Sequence, residues 1–153
     1  MGTAYRYLGL AMMADGQYDE ARECFQKSLE VFGEYFEGWD IALTLIYLAD
    51  ATLLAGSEIE ARILYADALR LARQIDSVPL ELMILAGLAQ LESDLKPELA
   101  GGWLTLILSH PAATSDTKDR AADLLTQLQK KHNLSQTESA WTIDQALEAL
   151  SVK

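Results

Sequence analysis

The chain has 153 residues, half of them hydrophobic, with 12 basic against 23 acidic side chains and a net charge of −11. That length and apolar content fit one domain with a sizeable core and exclude a disordered chain. The negative charge repels phosphate backbones and disfavours direct nucleic-acid binding, and the single cysteine, Cys24, excludes a disulfide framework or a cysteine zinc cluster.

In chain order, Thr3 to Asp15 reads as a helix with Tyr5, Leu8, Gly9 and Met12 on one face. Asp15-Gly16 ends it, glycine supplying the left-handed conformation. Tyr18 to Phe32 forms the second helix, with Ala21, Phe25, Ser28 and Leu29 on one side and Gly33 as its stop. Tyr35, Phe36 and Trp39 are expected to staple the link to a third helix, Gly38 to Ala55, packing through Leu45, Leu48, Ala49 and Thr52. After Gly56, Ser57 and Glu60 have the spacing of a capping box opening a fourth helix to about Ile75.

Pro79 suits the first turn of a fifth helix, to Ser93, and Pro97 that of a sixth, to Ser109. Gly101 and Gly102 each weaken the sixth by roughly 1 kcal/mol relative to Ala, which points to close helix approach beside Trp103. His110 to Ser115 is a loop. Thr117 to Lys131 is a strong helix with Ala121, Leu124, Leu125 and Leu128 inward and lysines favourably placed at its C-terminal end. Capping-box spacings at Ser135–Glu138 and Thr142–Gln145 imply a short helical turn and a last helix to about Leu150, with Ala146, Leu147 and Leu150 as its apolar edge. No segment alternates as a strand does. The apolar run Trp103–Leu108 is too short for a bilayer, so no membrane contact is expected. With no signal peptide and a free thiol, the expected location is cytoplasmic.

The first two hairpins repeat each other. Glu20-Ala21-Arg22, Phe25 and Ser28 return as Glu60-Ala61-Arg62, Tyr65 and Ala68, with Ala21 and Ala61 40 residues apart. The order Tyr5, Leu8-Gly9, Gly16, Ala21, Phe25, Ser28, and again Leu45, Leu48-Ala49, Gly56, Ala61, Tyr65, Ala68, resembles the tetratricopeptide repeat, whose usual period is about 34 residues. A third, degenerate copy carries Ala86-Gly87. The resemblance implies an all-α, right-handed α-α superhelix within one domain, 1–153. Repeat 1 covers 1–36, repeat 2 covers 37–76, degenerate repeat 3 covers 77–110, and C-terminal capping helices cover 111–153. The long repeat ending in Leu71-Ala72-Arg73-Gln74-Ile75-Asp76 is similar to those in the C-terminal arms of bacterial STAND-type signal-transduction ATPases and large transcriptional activators. The chain opens directly in a helix with no polar capping repeat, which reads as a fragment of such an array.

The resemblance further implies a non-catalytic protein-interaction scaffold whose concave face is lined by the first helix of each pair. That places Arg6, Leu10 and Met13, then Ile46, Asp50 and Leu54, then Ile84 and Leu88 on one mostly apolar surface. Such a surface would take an amphipathic or hydrophobic segment of a protein partner, with Asp50 and the general acidity selecting a basic flank. The alternative is a self-associating domain whose inner face is buried by its own C-terminal helices or by a homodimer. A remote third reading, a small metal-dependent hydrolase, rests on His110, His132, Asp116 and Asp119, which lack metal-binding spacing. No phosphate-binding loop or nucleophile motif is present, and no catalytic residue, metal or cofactor is expected. Cys24 reads as an inert helical thiol. Trp39, Trp103 and Trp141 read as packing residues, and Glu81, Glu92, Asp94 and Glu98 as a solvated face.

Overall fold

The structure, a computed structural model, describes residues 1–33, 38–135 and 141–151. Among these it holds eight helices and no strand: α1 (Gly2–Ala14), α2 (Tyr18–Phe32), α3 (Gly38–Leu54), α4 (Glu58–Gln74), α5 (Val78–Glu92), α6 (Pro97–Ser109), α7 (Ser115–His132) and α8 (Ile143–Ser151). The fold is an all-α helical repeat. Among the described residues, no helix is long and apolar enough to cross a membrane. The chain divides into two compact units, Met1–Leu80 and Glu81–Lys153, with the division inside α5.

In the first unit α1 packs on α2, α2 on α3 and α3 on α4. The two hairpin turns share one geometry. Gly16 (φ 75°) and Gly56 (φ 93°) take the left-handed conformation. Their N–H groups donate to Met13 O and Leu53 O at 3.0 Å, and the following N–H groups to Met12 O and Thr52 O at 2.9 and 3.0 Å. This closes the orphan carbonyls of α1 and α3 in the same six-to-one, five-to-two pattern. Asp76 (φ 51°) repeats the turn after α4, an aspartate standing where the first two turns have glycine.

The first hairpin closes by setting glycine against phenylalanine. A Cβ on Gly9 would lie 2.6 Å from the Phe25 ring, and one on Gly2 2.7 Å from the Phe32 ring. Both rings are enclosed, at 0% and 1% exposure, and burying each contributes roughly 1.5–3 kcal/mol. Ser28 Oγ donates to Gly2 O at 2.7 Å and fastens the same seam. The packing stripe of α1 is therefore Gly2, Arg6 and Gly9. Leu8, expected inward, is 46% exposed, because the close approach at the glycines turns it away from α2. In the second hairpin Ala61, Tyr65, Ala68 and Ala72 of α4 are all fully buried.

The capping box expected at Ser57 and Glu60 does not form: Ser57 makes no side-chain cap. Glu60 is drawn away by Arg22, whose Nη2 donates to its Oε2 at 2.9 Å. Of the linking aromatics, Tyr35 and Phe36 lie outside the described residues, and Trp39 is 45% exposed rather than stapled in.

In the second unit α6 packs on α7. Thr114 Oγ1 accepts from Thr117 N at 3.3 Å, so α7 starts at Ser115, earlier than its apolar period indicates. Asn133 ends α7 in the left-handed conformation. An added Cβ on Gly102 would lie 3.3 Å from Trp141 Nε1, so the close neighbour is the Trp141 indole ahead of α8 rather than a helix beside Trp103. The capping box before α8 does form, Thr142 N donating to Gln145 Oε1 at 3.0 Å and Gln145 N to Thr142 Oγ1 at 3.2 Å. The earlier box and its short helical turn fall on 136–140, outside the described residues.

Candidate partner-binding face

Of the eight residues expected to line an inner surface, the first is Arg6 on α1. It is 8% exposed. Its Nη1 donates to Asp40 Oδ1 at 2.9 Å and reaches Thr44 Oγ1 at 3.5 Å. The guanidinium carbon stands 5.3 Å from the centroid of the Phe32 ring. Ion pair and ring face together balance the cost of removing the charge from water, so Arg6 is tied into the hairpin seam.

Asp50 on α3 is also buried, at 7% exposure, and accepts a short hydrogen bond from Tyr65 Oη. The repeat register explains the pair. Position 10 is Leu where 50 is Asp, and position 25 is Phe where 65 is Tyr. The second hairpin thus replaces an apolar pair by a hydroxyl and the carboxylate that satisfies it. Comparing the two repeats residue by residue is the signal that finds it.

The apolar members divide by depth. Ile46 and Ile84 are fully enclosed and Leu88 is 5% exposed. Leu10 and Met13 are partly buried against a core of Ala21, Phe25, Leu48 and Ala51. Leu54 is 42% exposed. Within the first unit, the accessible part of the expected lining is therefore Leu10, Met13 and Leu54, above a closed core. Ile84 and Leu88 belong to the second unit.

Elsewhere the side chains take quieter positions. Glu92, read as solvated, is fully buried, because α5 is enclosed on most sides and its last turn is carried in with it. Glu98 and Asp94 are exposed. Lys131 Nζ donates to Asp94 Oδ1, and His132 Nε2 lies 3.8 Å from the same carboxylate. The lysine, by hydrogen bond and charge, holds the Asp94 carboxyl below its ordinary value, with a smaller contribution from His132. His110 is the C-cap of α6, its backbone N–H donating to Ile107 O at 3.2 Å, and its Nδ1 accepts from Ala112 N at 3.1 Å in the turn that follows. Among the described residues, no group of three or more His, Cys, Asp or Glu is placed to hold a metal ion. Cys24 is partly buried, and Trp103 is fully buried. A cleft of about 530 Å³ between Leu95, Pro97, Leu99, His132 and Leu134 has no sequence signature, since the turn after α5 and the end of α7 meet only in the fold.

No curated protein and no solved structure matches the chain. Residues 1–74 match the family model described as Tetratricopeptide repeat, which supports a tetratricopeptide-repeat domain over the hairpins α1–α2 and α3–α4.

Proposed function

We propose that the chain is a non-catalytic protein-interaction scaffold, the regulatory or sensing arm of a larger bacterial signalling or transcription protein. It holds a partner segment along the inner faces of α1 and α3. Tetratricopeptide repeats generally mediate protein–protein interaction and are typically non-catalytic, and the match over residues 1–74 is the observation that carries the reading. Contact falls on Leu10, Met13 and Leu54. Arg6, Ile46 and Asp50 act from beneath, fixing the helices rather than touching the partner, and Ile84 and Leu88 do the same in the second unit. The net charge of −11 favours a segment with a basic flank. The proposed setting is the cytoplasm, where the thiol of Cys24 stays reduced.

The burial of Ile46, Ile84 and Leu88 within one chain favours a second reading, in which the inner face is filled by the chain itself; a homodimer is the other form of that reading. Both are tested with an array of amphipathic peptides bearing basic flanks. Leu10→Glu and Met13→Glu weaken binding about tenfold, as loss of an apolar anchor does. Ile59→Glu, at an 81% exposed position on α4, leaves it unchanged. Equal binding by all three variants contradicts the first reading, and a dimer by light scattering that captures no peptide supports the second.

A further inference from the structure

The basic flank proposed for the partner needs a carboxylate that it can reach, and Asp50 is not one. Asp50 is 7% exposed and is taken by Tyr65 Oη. The two helices under the proposed contact surface run in the same direction. Arg6, in the second turn of α1, meets Asp40 and Thr44 near the start of α3. Leu10, Met12 and Met13 pack on a core that includes Leu48 and Ala51, further along α3. Both helices therefore end on the same side, α1 at Ala14 and α3 at Leu54. Neither carries a basic residue in its last turn, so the negative ends of two helix dipoles lie at that side with no cation of their own. Asp15 follows directly after α1. It is exposed, its backbone N–H donates to Ala11 O at 3.2 Å, and its carboxylate has no partner among the described residues. The residue in register with it is Ala55, so the second hairpin offers no competing carboxylate at that place. The opposite side has the reverse character. There both helices begin, with the positive ends of their dipoles, and Arg6 stands already paired with Asp40.

We infer that Asp15 receives the partner's basic flank and so sets the direction in which the segment lies. The inference rests on the reading of α1 and α3 as the contact surface. The apolar part of the segment covers Leu10, Met13 and Leu54. Its lysine or arginine lies past Met13, against Asp15 and the carbonyl ends of the two helices. The end above Arg6 is neutral or acidic, because a cation there would meet the helix N-termini and a guanidinium. The net charge of −11 draws a basic segment in, and Asp15 decides where its charge comes to rest.

The test titrates fluorescein-labelled amphipathic peptides, with leucines along one face and a run of lysines at one end, into the full chain and follows fluorescence anisotropy. Asp15→Lys weakens binding about fivefold, through loss of one exposed ion pair and the repulsion that replaces it. The variant keeps its circular dichroism, since the turn uses the backbone of residue 15 and a cation is favourable at a helix C-terminus. Glu30→Lys, at an exposed position on α2, makes the same change in net charge and shifts binding less than about twofold. In about 1 M salt, where charges are screened beyond roughly 3 Å, the parent and Asp15→Lys bind alike. A nitroxide on the lysine end of the peptide broadens the amide signals of Asp15 and Gly16 and spares those of Thr3 and Arg6. Equal effects of Asp15→Lys and Glu30→Lys, or broadening at Thr3 and Arg6 instead, overturn the inference while the contact surface, reported by Leu10→Glu, stands. A parent chain that binds none of the peptides removes the contact surface itself, and the inference with it.

Discussion

Replacing Gly9 by alanine separates two opposed effects by sign. In an isolated helix the change is favourable by about 1 kcal/mol, since alanine loses less backbone entropy and exposes less backbone than glycine. In this fold the added Cβ would lie 2.6, 2.8 and 2.9 Å from three atoms of the Phe25 ring. Real carbon contacts do not come so close, and the ring is fully enclosed, so α1 must back away from α2 or the ring must leave its rotamer. Overpacking of this kind costs roughly 1–3 kcal/mol. The net expectation is a loss of about 1 kcal/mol, or about 2–4 °C in Tm for a chain of this size. Urea and thermal unfolding followed by circular dichroism measure it. Phe25→Leu in the Gly9→Ala background removes the clash, so the double variant is more stable than the two single losses predict. A Gly9→Ala chain more stable than the parent, with additive behaviour in the double variant, would refute the glycine-on-phenylalanine seam.

Three further outcomes follow from the side-chain contacts. Arg6→Ala removes the ion pair to Asp40 and the cover over Phe32 and lowers stability by about 2–3 kcal/mol, read as a shift in the urea midpoint. Tyr65→Phe takes the hydroxyl from buried Asp50 and costs about 1–2 kcal/mol, whereas Phe25→Tyr, with Leu rather than Asp at position 10, is not compensated and is no less costly. Lys131, by hydrogen bond and charge, holds the Asp94 carboxyl below the usual aspartate range. A depressed folded-state value means that its contribution is present at neutral pH and is lost as pH falls through that lowered value. Carboxyl NMR titration shows the shift, and Lys131→Ala moves the value up toward that of an unpaired aspartate.

The helices and both hairpin turns were legible because their causes are local. Gly16 and Gly56 sit where the chain needs positive φ, and the apolar period marks each helix between them. The contacts that were not legible depend on partners far along the chain. Glu60 has the right spacing to cap α4, yet Arg22 from another helix takes it. Arg6 is buried because Asp40, 34 residues away, meets it. Leu8 lies outside because two glycines decide which side of α1 approaches α2. The expected lining residues were placed by resemblance, and their depth was hidden for a plain reason. Helices α3 and α5 are apolar on most sides, so periodicity alone does not say which side faces out. Leu54 and Ile46 look alike in sequence, and one is 42% exposed while the other is fully buried.

The most direct test of the scaffold reading is site-specific photo-crosslinking with the full chain. A photoreactive residue is placed at Leu54, on the proposed contact surface, or at Ile63, 59% exposed on α4. The account predicts a discrete adduct with a bound partner segment from position 54, competed by unlabelled segment, and none from position 63. Equal labelling at both positions, or labelling confined to position 63, would contradict it.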